Sequence, residues 1–330
     1  MKRHLLFTLL AFLCFGSGLK AQTFQPDSLS GFNRFFIPSD TFSKPRAIGV
    51  GATIGGLYTG ASLALYNIWY KDFPLTTFHG FNDNAEWLQM DKGGHVLNAY
   101  YETNWAFGLF RWSGMSKGKS IGYAALTSTA IQSTIEIFDG FSEEWGFSWG
   151  DLAANTIGTG LSAGQQAIWD EQRITIKFSF IPTDHPAELQ YRADQLYGTS
   201  FSERLLKDYN GLTYWLSVNP HSFMKDESKF PKWLNIAAGY GAEGLYGGFE
   251  NEWCADSDVK PEDCDPSYLI TTDVPRQRQY FLSLDLDLTK IETNKPFLKT
   301  LFGVVNVIKI PAPALEYREG EGFKGHWIYF

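Results

Sequence analysis

The sequence predicts an α+β fold, an N-terminal helical bundle rich in small residues followed by an antiparallel β-sheet or partial β-barrel. Two observations carry that expectation. The hydrophobic period changes from helical to two near residue 170, and the part before it contains long uncharged stretches of Gly, Ala, Ser and Thr. A composition of 44% hydrophobic and 16% aromatic residues excludes a disordered chain.

The first segment, residues 1–21, reads as a secretory signal. Lys2 and Arg3 precede an apolar run from Leu5 to Phe15, and Ala21 offers a small residue at the cleavage point. The run is too short to span a bilayer. Cys14 follows Ala11-Phe12-Leu13, whose bulky Leu13 departs from a lipoprotein signal, so a lipid anchor is not favoured. Loss of the leader leaves 25 basic against 36 acidic residues, a net charge of −11. Nothing supplies the clustered positive charge that nucleic acid requires. Residues 22–44 form a lead, residues 45–170 the bundle and residues 171–330 the β-rich region.

Four stretches have helix length: 47–69, 91–112, 120–135 and 152–169. Small residues recur every fourth position at Gly51/Gly55, Gly56/Gly60/Ala64 and Ala154/Gly158/Ser162, which lets backbones approach closely and predicts a tight four-helix bundle. So many glycines weaken helices by roughly 1 kcal/mol each, a cost that packing must offset. Three of the stretches carry polar stripes at helical spacing. These are Asp91, His95, Asn98 and Glu102; Thr129, Gln132, Glu136 and Asp139; and Asp151, Asn155, Gly158, Ser162 and Gln166. Solvent faces carry abundant Lys, Arg and Glu, whereas these stripes carry few charges, so they are expected to converge on a shared interior.

Strand alternation follows at 174–180, 212–219, 233–242, 280–288, 300–310 and 323–330. The lengths suit either membrane-crossing barrel strands or a soluble sheet with one wet face. The aromatic C-terminus at Phe330 and the many Tyr, Trp and Phe near strand ends tilt the reading towards an outer membrane. Six strands fall short of the eight in the smallest single-chain bacterial barrels, which leaves a partial sheet or a periplasmic sheet open. Cys254 and Cys264 lie close together in an exported chain and suggest one disulfide. The same loop holds Asp256, Asp258, Glu262, Asp263 and Asp265. Lys260 and the lack of a turn glycine argue against an EF-hand type of calcium site.

The string Asp91-Lys92-Gly93-Gly94-His95, then Glu136-Ile137-Phe138-Asp139, then Phe147-Ser148-Trp149-Gly150-Asp151 leading to Asn155 and Gly158, resembles the YfiM-like predicted periplasmic lipoproteins, a domain of unknown function. It is more distantly similar to the VanZ-like membrane proteins. The resemblance covers about residues 85–170 and implies an envelope location without an established activity or catalytic residue.

One imidazole and several carboxylates, with Lys92 beside them, suffice for a hard-metal site or for acid/base work on a phosphate or glycosidic substrate. The competing reading is a buried network in which Lys92 and His95 neutralise Glu136 and Asp151 and fix helix packing. No H-E-x-x-H or comparable ligand spacing is present, so no metal is assigned, and the absence of nucleotide and redox motifs leaves no cofactor expected. Gly146-Phe147-Ser148-Trp149-Gly150 matches the nucleophile-elbow pattern. Ser148 with Asp151 three residues on fits a helix N-cap better, because Glu143-Glu144-Trp145 is no buried strand. The expected candidates are therefore Asp91, Lys92, His95, Glu136, Asp139, Asp151 and Asn155, with Ser148 as cap. The expected role is structural or interactive at the outer membrane, with envelope lipid or a cell-wall component as partner. The alternative is an envelope lipid or glycan hydrolase or transferase using Asp91, His95, Glu136 and Asp151.

Overall fold

A computed structural model describes residues 30–71, 73–225, 227–256 and 259–330. The leader with Cys14, and Asp258 of the acidic loop, lie outside them. The chain opens with a short helix α1 (Gly31–Phe35) and a long helix α2 (Lys44–Leu65), which continues as a π turn over Tyr66–Tyr70. Three helices follow: α3 (Met90–Trp112), α4 (Lys117–Gly140) and α5 (Trp149–Trp169).

These three form the bundle, and their polar stripes explain why. Glu102 on α3 accepts from Gln132 and Ser128 on α4, at 2.8 and 3.1 Å. Buried groups of this kind require partners, so each stripe draws in its neighbours. Small residues let the backbones close. A Cβ on Gly158 would lie 2.3 Å from the Val96 carbonyl oxygen and 2.9 Å from the Tyr100 nitrogen. Two stripe members turn outward instead: Asn98 and Thr129 are exposed, while Ser128, one residue away from Thr129, is buried.

The expectation of four packed helices is corrected at α2. That helix runs alongside the bundle and is fastened at its ends. Arg46 donates to the carbonyls of Ile37 and Trp112 at 2.8 and 3.0 Å, and Tyr70 donates to Asp139 Oδ1 at 2.5 Å. Within α2 only Val50 is buried, and a Cβ on Gly51, Gly55, Gly56 or Gly60 would meet nothing within 4 Å. The helix has no polar stripe to bury, so nothing obliges it to pack. Among the described residues it is the helix long and apolar enough to cross a membrane.

The second half builds a six-stranded antiparallel sheet from β1 (Ile174–Phe180), β2 (Leu212–Val218), β3 (Leu234–Glu243), β6 (Gln277–Leu286), β7 (Ala312–Arg318) and β8 (Gly322–Tyr329), in the order β1-β2-β3-β6-β7-β8. A separate pair, β4 (Glu252–Cys254) and β5 (Leu269–Thr271), flanks the acidic loop, where Cys254 and Cys264 are disulfide-bonded. Short helices α6 (Gln190–Tyr197) and α7 (Phe201–Lys207) cross between β1 and β2. The strand expected at 300–310 is a helix, α8 (Pro296–Val305), and the missing strand is β7.

The sheet curls and stays open. Tyr329 on β8 reaches Trp215 and Thr213 on β2, with ring centroids 6.0 Å apart and hydroxyls 3.1 Å apart. Four strand spacings would separate these strands by about 19 Å in a flat sheet. The inner face is polar: Lys177 and Asp285 form a fully buried pair at 2.8 Å, and Ser217 bonds the same carboxylate at 2.7 Å. Gly239 leaves room for Trp215 to lie across this interior. The outer face is apolar. α3 covers it at β1 and β2, where Met90 packs with Phe180 and Leu212, and Tyr100 and Tyr101 pack with Ile176. Beyond that, Leu216, Ile236, Leu282, Leu284 and Leu315 lie open, Leu282 being 56% exposed while Asp285 is 1% exposed.

Candidate functional site

The bundle alternates direction, so the start of α3, the end of α4 and the start of α5 share one end. There the motif residues meet. Asp91 and His95, one turn apart on α3, face Asp151 at the start of α5. His95 Nε2 lies 3.7 Å from Asp91 Oδ2 and 3.6 Å from Asp151 Oδ1. Its Nδ1 lies 3.1 Å from Asn155 Oδ1, and the Asn155 amide donates to Glu136 Oε1 at 3.3 Å. Lys92 Nζ sits 2.7 Å from Asp83 Oδ2, 2.6 Å from Asp151 Oδ1 and 3.3 Å from Asp91 Oδ2.

Local sequence explains this geometry. Gly93 and Gly94 are where the Tyr214 ring of β2 meets α3; a Cβ on Gly93 would fall 2.5 Å from that ring. Gly150 leaves space for Asn84 and for the Lys92 stem. Ser148 caps α5 by accepting from the Asp151 N–H at 3.0 Å, and its hydroxyl donates to Asp83 Oδ1 at 2.6 Å. It is the N-cap expected from the sequence, joined to the cluster through Asp83.

The chain enters α3 through an unusual joint. Trp87, Leu88 and Gln89 all have left-handed backbones, with φ of 48°, 50° and 64°. Each such non-glycine residue costs roughly 1–2 kcal/mol, so the joint must be braced. Braces come from later in the chain: the Gly248 carbonyl accepts from the Trp87 N–H at 2.7 Å, Tyr240 donates to the Leu88 carbonyl, and Arg278 donates to Gln89 Oε1 at 3.2 Å.

Of the expected residues, Asp91, Lys92, His95, Glu136, Asp151 and Asn155 come together. Asp139 stands to one side and takes the Tyr70 hydroxyl. Lys92 and His95 do stand against Asp151 and Glu136, with Lys92 2.6 Å from Asp151 and His95 Nδ1 3.7 Å from Glu136 Oε1, and Lys92 pairs with Asp83 and Asp91 as well. Two participants escaped the sequence reading. Asp83 lies outside the three motif strings, and Tyr209, which donates to Asp91 Oδ1 at 3.0 Å, comes from the β-rich half. Burial works against the Asp83 charge, yet hydrogen bonding with Asp151, and then with Lys92 and Ser148, holds its carboxyl below the ordinary value. Burial, then the charges of Asp91 and Asp83, pushes Glu86 up to about 7.

The geometry defines a helical module that carries an acid–imidazole cluster at one end of a bundle. Residues 79–166, which hold that module from Asp83 to Asn155, match the model of a family described as predicted periplasmic lipoproteins (DUF2279). The matched segment ends within α5 and stops short of the sheet. The description agrees with an exported chain of the periplasm or outer membrane. No curated protein and no solved structure matches the chain.

Proposed function

We propose that this is an outer-membrane protein with an interaction role, seated in lipid by its outer surfaces and presenting the Asp91–His95–Asp151 end of the bundle to envelope lipid headgroups. One observation carries the reading. Polar groups are buried and apolar groups exposed in both halves, the reverse of a soluble protein with a wet outer face. Within the bundle Gln132, Asn155, Ser162 and Gln165 are buried, while Leu126, Ile157 and Ile168 are 61–74% exposed.

Length and charge support it. α2, α4 and α5 have 22, 24 and 21 residues, about 30–36 Å at 1.5 Å per residue, close to a bilayer core. No Asp, Glu, Lys or Arg occurs in residues 47–65, 120–135 or 152–169. β3 and β6, ten residues each, have barrel-strand length. The charged cluster lies past the ends of the uncharged stretches, at the depth where headgroups begin.

The test is fractionation of the full chain with alkaline carbonate washing, for wild type and for Leu282→Arg/Leu284→Arg. Wild type should stay with the outer membrane. The double variant, placing cations on the outer sheet face at about 2–4 kcal/mol each near a bilayer midplane, should lose assembly. Wild type released by carbonate and monodisperse without detergent would overturn the proposal. One observation favours the hydrolase or transferase reading: Asn155 and Glu136 orient the His95 ring, as an acid/base site requires. It predicts that His95→Ala keeps the fold but loses complementation of the envelope phenotype.

A further inference from the structure

We propose that Asp91, His95 and Asp151 form an open three-ligand site for a divalent first-row transition metal, zinc foremost. The inference stands apart from the seating in lipid and rests on the geometry of the cluster.

The donor atoms converge at metal spacing. One donor atom from each of the three side chains lies within 4.8 Å of the others, and His95 Nε2 is 3.6–3.7 Å from a carboxylate oxygen on either side. Ligands about 2.0–2.2 Å from a tetrahedral zinc stand about 3.3–3.5 Å apart, so a few tenths of an ångström bring His95 to ligand spacing from either carboxylate, and the two carboxylates start no more than 4.8 Å from each other. A proton on Nε2 would instead draw one carboxylate to about 2.7–2.9 Å. The observed separations are too long for that bond.

The imidazole is also turned the right way. The Asn155 amide donates through Nδ2 to Glu136 Oε1, which leaves its Oδ1 facing His95 Nδ1. An amide oxygen only accepts, so Nδ1 carries the hydrogen, and Nε2, which faces Asp91 and Asp151, is the nitrogen whose lone pair a metal would take in place of a proton. Glu136 and Asn155 thus hold the ring as outer groups hold metal-bound histidines. Tyr209 does the same for Asp91 through its 3.0 Å bond to Oδ1, leaving Oδ2 towards His95.

The two carboxylates already hold a cation between them: the Lys92 ammonium stands 2.6 Å from Asp151 Oδ1, on a side chain 7% exposed, and 3.3 Å from Asp91 Oδ2, so a metal here would share or take over the place of that ammonium. Asp91 keeps 30% of its side chain exposed, so solvent reaches the cluster from that side. One nitrogen and two carboxylates are too few for calcium, which takes six to eight oxygens, and among first-row ions the affinity order favours zinc over manganese.

The experiment uses the full chain, purified in detergent and stripped with chelator, titrated with Zn2+ and separately with Co2+. Wild type should bind one equivalent of zinc, and bound cobalt should give the visible absorption of a four- or five-coordinate ion. Asn155→Ala should keep the stoichiometry with affinity lowered about 10–100-fold, and His95→Ala should abolish binding. Should His95→Ala fail to fold, the cobalt spectrum of wild type and the Asn155→Ala affinity still decide. Substoichiometric zinc on wild type, a six-coordinate cobalt spectrum, or equal affinity in wild type and Asn155→Ala would overturn the assignment.

Discussion

Helices α2 and α5 share a sequence device and meet opposite fates. Both place small residues every fourth position, yet a Cβ on Gly158 of α5 would strike the α3 backbone while one on Gly51, Gly55, Gly56 or Gly60 of α2 would meet nothing within 4 Å. The difference lies in the neighbouring positions. α5 also carries Asp151 and Asn155, both buried, which find their partners in Lys92 and His95 of α3 and Glu136 of α4. α2 offers Thr59, whose hydroxyl bonds the helix's own Gly55 carbonyl at 2.8 Å, and it asks nothing of the bundle. Small-residue spacing permits close packing, and buried polar groups enforce it.

The widest test of this contrast is one substitution on each helix. Gly158→Leu drives a side chain into the Val96 carbonyl and should cost about 3 kcal/mol or more, read as a large fall in melting temperature in detergent. Gly55→Leu should leave melting unchanged within about 0.5 kcal/mol. Comparable losses for both would mean that α2 packs after all. pH offers a second, smaller handle, because the bundle's site end carries carboxylates while residues 47–65 of α2 hold no Asp, Glu, His, Lys or Arg. Glu86 is raised to about 7 from an ordinary 4.5, so its contribution to stability is full below pH 4.5 and is lost as pH rises through 7. Glu86→Gln should flatten stability across that window by about 2 kcal/mol, and an unchanged slope would place the titration elsewhere. Smallest is the anchor of α2. Arg46→Ala removes two carbonyl contacts and a ring contact with Trp112, and should cost the bundle about 1 kcal/mol or less. Limited proteolysis should then cut near residues 66–80 first; simultaneous loss of α3–α5 would contradict a separately fastened helix.

The bundle helices were legible because their uncharged stretches and polar stripes coincide. Most of the cluster was legible for the same reason, since i, i+4 spacing puts Asp91 and His95 on one face. Its remaining members were not, because Asp83 sits in a loop and Tyr209 is 118 positions from Asp91 in sequence. In the β half, 300–310 misled because a short apolar run rich in β-branched residues does not reveal its period, and the helix start at Lys295-Pro296 lay outside it. Strand β7 was hidden by Pro313, a residue that sheets tolerate at irregularities, and the register indeed shifts between Ala312 and Ala314. Helix α7 carried a readable start, the Ser200/Glu203 capping box, which the strand reading passed over. The inner Lys177–Asp285 pair joins strands 108 residues apart, a distance that no local pattern reports.

The left-handed joint at Trp87–Gln89 has a consequence for the order of assembly. Its long-range braces, from Tyr240, Gly248 and Arg278, lie downstream of the bundle. In a chain delivered from its N-terminus, α3, α4 and α5 arrive when the joint has only local support, such as the Gln89 side chain on the Asn84 carbonyl at 2.8 Å. The start of α3 therefore gains its full set of braces only once residue 278 has been delivered. A chain truncated before β3 would keep every cluster residue and lose the three long-range contacts that help to aim them.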